Sequence, residues 1–285
     1  MAVLENLRNT LADLSMLKTV TAAFGDISAL KIQSLRQAFE QNSLFYEQVS
    51  QLYHSITLSA TIHKYNTDKK KKQPTFKPKT LRVALTSNHR FYGTSNRDVI
   101  ERFFEESASV DEDRLIIGLT GKDFASAKTG FPAYNIIIFQ NDNPPKIEVD
   151  TVLSLARPYD RVYIYFPRFV NMLTQKVDRV DIAYSPKDVA GKYQEIKFIF
   201  EPELPKIVDF FEQHIRTLLF NRVILETQLA RTATRLLAMD TAERNASDLI
   251  EDTRSSLRKA KQSLINRRLL ETFTIVEKAK YAKTH

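Results

Sequence analysis

The chain has 285 residues, 43% of them apolar and 27% charged, with ten prolines, six glycines and no cysteine. This composition fits one or two folded domains, excludes a disulfide framework or thiolate metal site, and holds no apolar run of about eighteen residues that reads as a membrane span. The net charge of +8 points to an anionic partner, but the excess is spread over several segments and does not single out nucleic acid.

From Met1 to Gln73 the only helix breaker is Gly25. Leu4, Leu7, Leu11 and Leu14 alternate three and four apart. Phe24, Ile27, Leu35, Phe39, Val49, Leu52 and Ile56 follow. This spacing predicts a coiled-coil helix over 1–62 with one drifting apolar stripe. The opening MAVLENLRNTLADL carries early acids and no cleavage pattern, so it does not read as a signal peptide. Residues 63–80 read as a basic linker, with seven lysines, one acid, Pro74 and Pro78. Its run Lys69–Lys72 reads as a solvated, charged loop.

Residues 81–200 change character. The apolar runs LRVALTS, RLIIGLT, YNIIIFQ and RVYIYF predict strands. An amphipathic helix around Asp98–Glu106 separates the first two, and GKDFASA opens another helix. Strands alternating with helices predict βαβ units and an at least partly parallel sheet, a Rossmann-like α/β foot domain. VDRVDIAYS and YQEIKFIFEPE alternate apolar and polar residues. They read either as edge strands or as a hairpin around Pro186–Gly191.

Residues 201–285 form the last rod. Lys206 to His285 contains no glycine and no proline, and Pro202 and Pro205 sit where a first helical turn tolerates them. As one helix this stretch would span ~120 Å at ~1.5 Å per residue. Leu229, Leu236, Ile250, Leu257 and Leu264 share one heptad column. Thr232, Met239, Ala246, Thr253 and Ala260 share the companion column, and Glu243 alone interrupts the apolar set. Such a repeat predicts a left-handed coiled coil. The companion column is mostly small, which lets a partner helix approach closely, and the nearest candidate is the rod at the other end of the chain. The predicted fold is therefore α/β plus long α: an antiparallel coiled coil of the N- and C-terminal helices with an inserted α/β domain.

Catalytic signatures are missing. There is no Walker A loop, no GxGxxG and no HExxH, and the five histidines show no metal-ligand spacing. His89 follows a strand end, where ligands bind in α/β sheets, but reads as a loop residue. His214 reads as a helix-surface or packing residue. No cofactor is expected. The one dense constellation is cationic: Arg254, Arg258, Lys259, Lys261, Arg267 and Arg268 within fifteen residues that hold no acid. It reads either as a solvated helix face or as a surface meeting acidic groups of a partner.

The stretch LARTATRLLAMDTAERNASDLIEDTRSSLRKAKQSLINRRLLE resembles the C-terminal helix of the gamma subunit of F-type ATP synthases. Arg235, Ala238, Met239, Ala242, Asn245 and Ala246 match the family pattern A-x-R-M-x-A-M-x-x-A-x-x-N-A. Lys259, Ala260, Gln262, Ile265 and Glu271 match K-A-R-Q-x-x-I-T-x-E-x-x-E. Val20, Thr21, Ala23 and Lys31 match the amino-terminal helix. TSNHRFYGTSN resembles T-S-D-R-G-L-C-G-G-L-N through Thr86, Ser87, Gly93 and Asn96. FPRFVNMLTQ keeps Phe169, Asn171 and Gln175 of another family segment, and FEPELPKIVDFF is similar to the start of the family's final helix. The chain departs from the pattern at Lys261, Asn266, Arg268, Ile275 and Val276.

The resemblance implies a non-catalytic central rotor shaft coupling ion flow through a membrane ring to ATP synthesis or hydrolysis, with protons or sodium as the ion. The implied partners are three alpha and three beta subunits, the epsilon subunit and the c-subunit ring. No nucleic acid is implied, and the membrane is met only through the complex, at the cytoplasmic face of the cell membrane. Arg254, Arg258, Lys261, Gln262 and Arg268 become the expected contacts with beta subunits. Leu229, Leu236, Met239, Ala246, Ile250, Leu257 and Leu264 become the expected shaft seam, and Phe273 to Val276 the tip in an apolar sleeve. The competing expectation is a stand-alone basic coiled-coil scaffold or nucleic-acid-binding protein. The charge and the Lys69–Lys72 run favour it. The absence of aromatics interleaved with the Arg254–Arg268 basic run, and of any nucleic-acid motif, weighs against it.

Overall fold

The computed structural model describes residues 2–62, 79–107, 112–127, 130, 132–183, 201 and 203–281. The linker up to residue 78, the hairpin around Pro186–Gly191 and the YQEIKFIF stretch lie outside the described residues. In chain order the elements are α1 (Ala2–Ile62), β1 (Thr80–Leu85), α2 (Ser95–Glu106), β2 (Glu112–Ile117), α3 (Leu119–Ala127), β3 (Asn135–Ile137), α4 (Lys146–Ala156), β4 (Arg161–Phe169), β5 (Gln175–Asp181) and α5 (Leu204–Tyr281). They form two compact units. One comprises Met1–Ile27 with Leu236–His285, the other Ser28–Arg235.

The 28–235 unit is built on a five-stranded sheet in the order β3-β2-β1-β4-β5. The first four strands run parallel, and β5 returns antiparallel to β4 with Tyr165 opposite Arg179. The central strands are apolar on both faces because helices cover both. Leu81, Val83 and Leu85 of β1, with Val162, Ile164 and Phe166 of β4, face α4 and the Phe220–Ile224 stretch of α5. Ala84, Ile116 and Tyr165 face Val99, Ile100 and Phe103 of α2 and Ala125 of α3. The sheet's outer strand β5 reads QKVDRVD, and such charged residues discourage pairing with a further strand.

Helix α4 has no counterpart in the sequence expectations. It starts directly after Pro144 and Pro145, and only Val149, Val152 and Ala156 are buried. Three apolar positions over three turns are a thin signal.

Salt-bridged polar groups tie β1 to β2 and α2 to the sheet. Arg82 forms a two-pronged pair with Glu112, at 2.6 and 2.9 Å. Glu106 accepts from the Tyr165 hydroxyl at 2.9 Å, from Arg102 at 2.9 Å and from Arg179 at 2.7 Å. Burial alone would raise the Glu106 pKa, but hydrogen bonds from Arg102 and Tyr165 and the nearby Arg179 charge outweigh it and hold the carboxyl below its usual range.

Within the same unit α5 is fixed to the sheet by more than apolar contact. Phe220 is fully buried in the core. The Arg231 guanidinium donates to the Leu85 carbonyl at 2.7 Å, and Gln228 donates to the Asp142 carbonyl at 2.7 Å. Arg235 lies 4.3 Å from the Tyr92 ring centroid, and the Tyr92 hydroxyl donates to Asp142 at 2.7 Å. At Gly93, φ is +55° and a β-carbon would stand 2.9 Å from Thr234 Cγ2, so the turn needs glycine on both counts. The second half of α1 joins through the buried Tyr53, whose hydroxyl donates to Glu212 at 3.0 Å. Arg222 approaches the rings of Phe39 and Tyr46.

Candidate functional site

Two places qualify by position: the carboxyl ends of the parallel strands, where α/β sheets bind ligands, and the helix pair of the other unit. The first is filled by the protein itself. The free N–H groups at the start of α3 attract anions in nucleotide-binding folds. Here Leu119 N–H donates to Asn88 Oδ1 at 3.0 Å, Thr120 N–H to the Ser87 carbonyl at 2.9 Å and Gly121 N–H to Thr86 Oγ1 at 3.1 Å. The fully buried Arg231 fills the adjoining crevice, where burial lowers its pKa to about 10. The remaining space is about 10 Å³, room for one water. His89 is exposed, and its carbonyl accepts from Ser87 Oγ at 2.6 Å and from Thr120 Oγ1 at 3.3 Å. Among the described residues no cluster of three His, Cys, Asp or Glu side chains is placed to hold a metal.

The helix pair is organised differently. Along α1 the inward positions are Leu4, Leu7, Leu11, Leu14, Lys18, Thr21 and Gly25, all half-buried except the buried Thr21. This is a strict alternation of three and four, the period of a left-handed pair. The sequence reading followed large apolar residues instead. Leu4, Leu7, Leu11 and Leu14 of that stripe do lie on the inner face, whereas Phe24 and Ile27 are 43% and 58% exposed; in the other unit Leu35 and Ile56 are buried and Leu52 is 42% exposed. Beyond Leu14 the inner positions pass to Lys18, Thr21 and Gly25, and the two small residues let the backbones close. Thr21 remains satisfied there by donating to the Leu17 and Lys18 carbonyls at 3.0 and 2.9 Å.

On α5, Met239, Ala246 and Ile250 are buried, and Leu236, Thr253, Leu257, Ala260 and Leu264 are half-buried. Leu229 is buried in the 28–235 unit. The pair is antiparallel. Gly25 meets Met239, with a built β-carbon 4.0 Å from Met239 Cβ, whereas Ser15, Lys18 and Thr19 share a groove with Ser247 to Arg258. As one number falls the other rises.

Arg254, Arg258, Lys261, Gln262 and Arg268 are all exposed. Arg254, Lys261 and Arg268 recur every seven residues, forming one column beside the seam, the position that sets partner choice in coiled coils. None of the four cations has an ion-pair partner within 4.0 Å among the described residues. Beyond Leu264 every described side chain of α5 is exposed, including Leu270 at 67% and Phe273 at 69%. Lys18 did not stand out in the sequence as part of this site. The signal was the unbroken spacing Leu11, Leu14, Lys18, Thr21, which a search for apolar residues passes over.

The sequence matches the family described as ATP synthase over residues 3–276. The ATP synthase gamma chain of Staphylococcus saprophyticus is 26% identical, with 95% of this chain and 97% of that protein covered. The ATP synthase gamma chain of Flavobacterium psychrophilum is 28% identical, with 95% and 96% covered. Among solved structures, a chain of the Euglena gracilis mitochondrial ATP synthase (OSCP, F1 and c-ring, rotational state 3) aligns with a TM-score of 0.57 at 16% identity, covering 93% of this chain and 97% of that one. A chain of the Tetrahymena thermophila mitochondrial ATP synthase central stalk and c-ring aligns with a TM-score of 0.56 at 18% identity, covering 78% and 99%. At that identity the two structures speak to the fold.

Proposed function

The chain belongs to the ATP synthase gamma-subunit family, and from that membership we propose how its parts divide the work of a rotor. It is the central shaft of a rotary ATP synthase, a non-catalytic subunit that acts with the alpha and beta subunits and the c-ring. Its membrane association is through the complex. No helix among the described residues is long and apolar enough to cross a membrane.

The observation that carries the mechanical reading is that one unbroken helix, α5, takes part in both compact units. In the 28–235 unit it is locked to the sheet by Phe220, Gln228, Arg231 and Arg235. In the other unit it is locked to α1 by the heptad seam. A shaft must pass torque without sliding. Interdigitated small and large side chains resist sliding, and a helix without breakers resists bending. As working divisions of the chain we read a helical shaft from 1–62 and 201–285, a basic linker at 63–80 and a foot at 81–200, a division by sequence that differs from the two compact units.

The contact reading concerns Arg254, Arg258, Lys261, Gln262 and Arg268. Their exposure, and the lack of ion-pair partners for the four cations among the described residues, support a role in meeting acidic segments of beta subunits. The coupling ion is read as a proton or sodium ion, the epsilon subunit as a neighbour of the foot, and the cytoplasmic face of the cell membrane as the site of the complex. The scaffold or nucleic-acid reading rests on the net charge and the Lys69–Lys72 run, and the family membership weighs against it.

The direct test is the company the chain keeps. Affinity purification of the tagged full-length chain from its own host should recover alpha, beta, epsilon and c subunits together with ATPase activity. Recovery of nucleic acid without these subunits would reject the rotor reading.

A further inference from the structure

Two buried polar atoms meet one small cavity at the carboxyl ends of the parallel strands. Thr227 and Arg231 stand four residues apart on α5, on one face of the helix. Both line the crevice of about 10 Å³ that Leu85, Asn88, Phe139 and Asp142 also enclose. They are 1% and 3% exposed. Among the described residues neither Thr227 Oγ1 nor Arg231 Nε has a hydrogen-bond partner. The threonine differs from others on its helix. Thr217, Thr232, Thr234 and Thr241 each donate to the carbonyl four residues back, at 3.0, 2.6, 3.0 and 2.9 Å. The Thr227 hydroxyl makes no such bond.

Asp142 supplies the third group. Its Oδ2 accepts from the Tyr92 hydroxyl at 2.7 Å, whereas its Oδ1 takes a long bond from the Asn88 N–H at 3.3 Å. No carboxylate lies within 4.0 Å of the Arg231 guanidinium among the described residues. Burial lowers the Arg231 pKa, and the Asp142 charge works against that shift, so the two charges act on each other across a gap. A buried guanidinium N–H without an acceptor is costly. A cavity of this size with two to four polar neighbours holds one water.

We infer that the crevice binds a single structural water that bridges Arg231 and Asp142. The water accepts from Arg231 Nε–H and from the Thr227 hydroxyl, and it donates to Asp142 Oδ1. Such a bridge is nearly as favourable as a direct bond. It ties α5 to the loop after β3, beside the direct bond from Gln228 to the Asp142 carbonyl at 2.7 Å. Water fits better than an anion: chloride is too large for the space, and the Asp142 carboxylate repels it.

The test is oxygen-17 magnetic relaxation dispersion on the full-length chain, which counts long-lived internal waters. Thr227→Ile puts a methyl group where the water sits and should lower the count by one. Thr227→Val and Asp142→Asn each remove one partner of the water. Each should lower the melting temperature by about 2–4 °C, the shift of one polar contact in a unit of this size. Because both act through the same water, the double variant should lose no more than the worse single variant.

An unchanged water count in Thr227→Ile would overturn the bridge, and so would additive losses in the double variant. A melting temperature that rises with chloride at fixed ionic strength, but not in Thr227→Val, would also overturn it, because the guest would then be an anion. Should Asp142→Asn fail to fold, the water count in Thr227→Ile still decides. The bridge needs only the α/β fold, so none of these outcomes touches the shaft role.

Discussion

Met239 of α5 faces Gly25 of α1: a β-carbon built on the glycine would stand 4.0 Å from the methionine Cβ. That is ordinary contact distance, so alanine fits where glycine stands. Gly25→Ala should therefore stabilise the chain by up to about 1 kcal/mol, because glycine leaves a helix interior with more backbone entropy to lose. Gly25→Phe forces the pair apart and should lower the melting temperature. Thermal unfolding of the two variants side by side checks both signs.

Gly121 offers the opposite case in the sheet unit. A β-carbon there would come within 2.4 Å of Thr86 Oγ1 and 2.9 Å of Ile116 Cγ2. The hydrogen bond from Gly121 N–H to Thr86 at 3.1 Å would be displaced. Gly121→Ala is expected to destabilise by about 1–3 kcal/mol, the usual range for overpacking. Adding Thr86→Ala removes the clashing hydroxyl and should recover part of the loss. Urea unfolding midpoints of the single and double variants read this out.

The sheet was easier to read than the helix pair for a physical reason. Strands buried on both faces must be apolar throughout, so LRVALTS and RVYIYF announce β1 and β4 from composition alone. On α1 the inner positions are leucine only as far as Leu14, and beyond it they are Lys18, Thr21 and Gly25. Thr21 and Gly25 therefore carry no hydrophobic signal, while Phe24 and Ile27 mark the outer face. The α5 seam was more legible because Leu236, Ile250, Leu257 and Leu264 keep one column apolar. Helix α4 escaped because α4 buries only three side chains. The closing of the strand-end crevice by Arg231 was not legible at all: it depends on a contact between positions 146 residues apart.

Alkaline pH should destabilise the sheet unit. Burial, then the hydrogen bond to Asp113 and its charge, push the Tyr159 hydroxyl up to about 12. Burial and Asp142 push Tyr92 up as well. A tyrosine whose folded pKa is raised binds its proton more tightly in the native state. Its contribution is fully present below the unfolded pKa near 10 and is lost as pH rises through the folded value. Unfolding midpoints should therefore decline between about pH 10 and pH 12. Tyr92→Phe should flatten that decline while costing about 1 kcal/mol at neutral pH for the lost hydrogen bond.

Leu257 is half-buried at the seam of the helix pair. Leu257→Pro removes one backbone hydrogen bond and sets the proline ring against the carbonyl four residues back, a local loss of about 3 kcal/mol or more. Complexes carrying this chain should hydrolyse ATP with diminished ion pumping, measured as ATPase rate against fluorescence quenching in inverted vesicles. Full coupling in that variant would contradict a stiff shaft. Leu257→Met, which keeps volume and helix propensity, is the control and should leave coupling intact.

Lys261 stands in the exposed column between Arg254 and Arg268, where the resemblance to the gamma family places an arginine. A lysine offers a single ammonium, whereas arginine's planar fork holds a carboxylate with two parallel bonds. If this column meets the beta subunits, Lys261→Arg should strengthen the contact and Lys261→Ala weaken it. The alanine variant is expected to slow ATPase turnover of the assembled complex by about two- to fivefold, the range of one solvent-exposed charge contact. Lys70→Ala, in the basic linker, should change turnover less. Steady-state ATPase assays on complexes of equal subunit content rank the three, and equal rates for Lys261→Ala and Lys70→Ala would remove Lys261 from the contact surface.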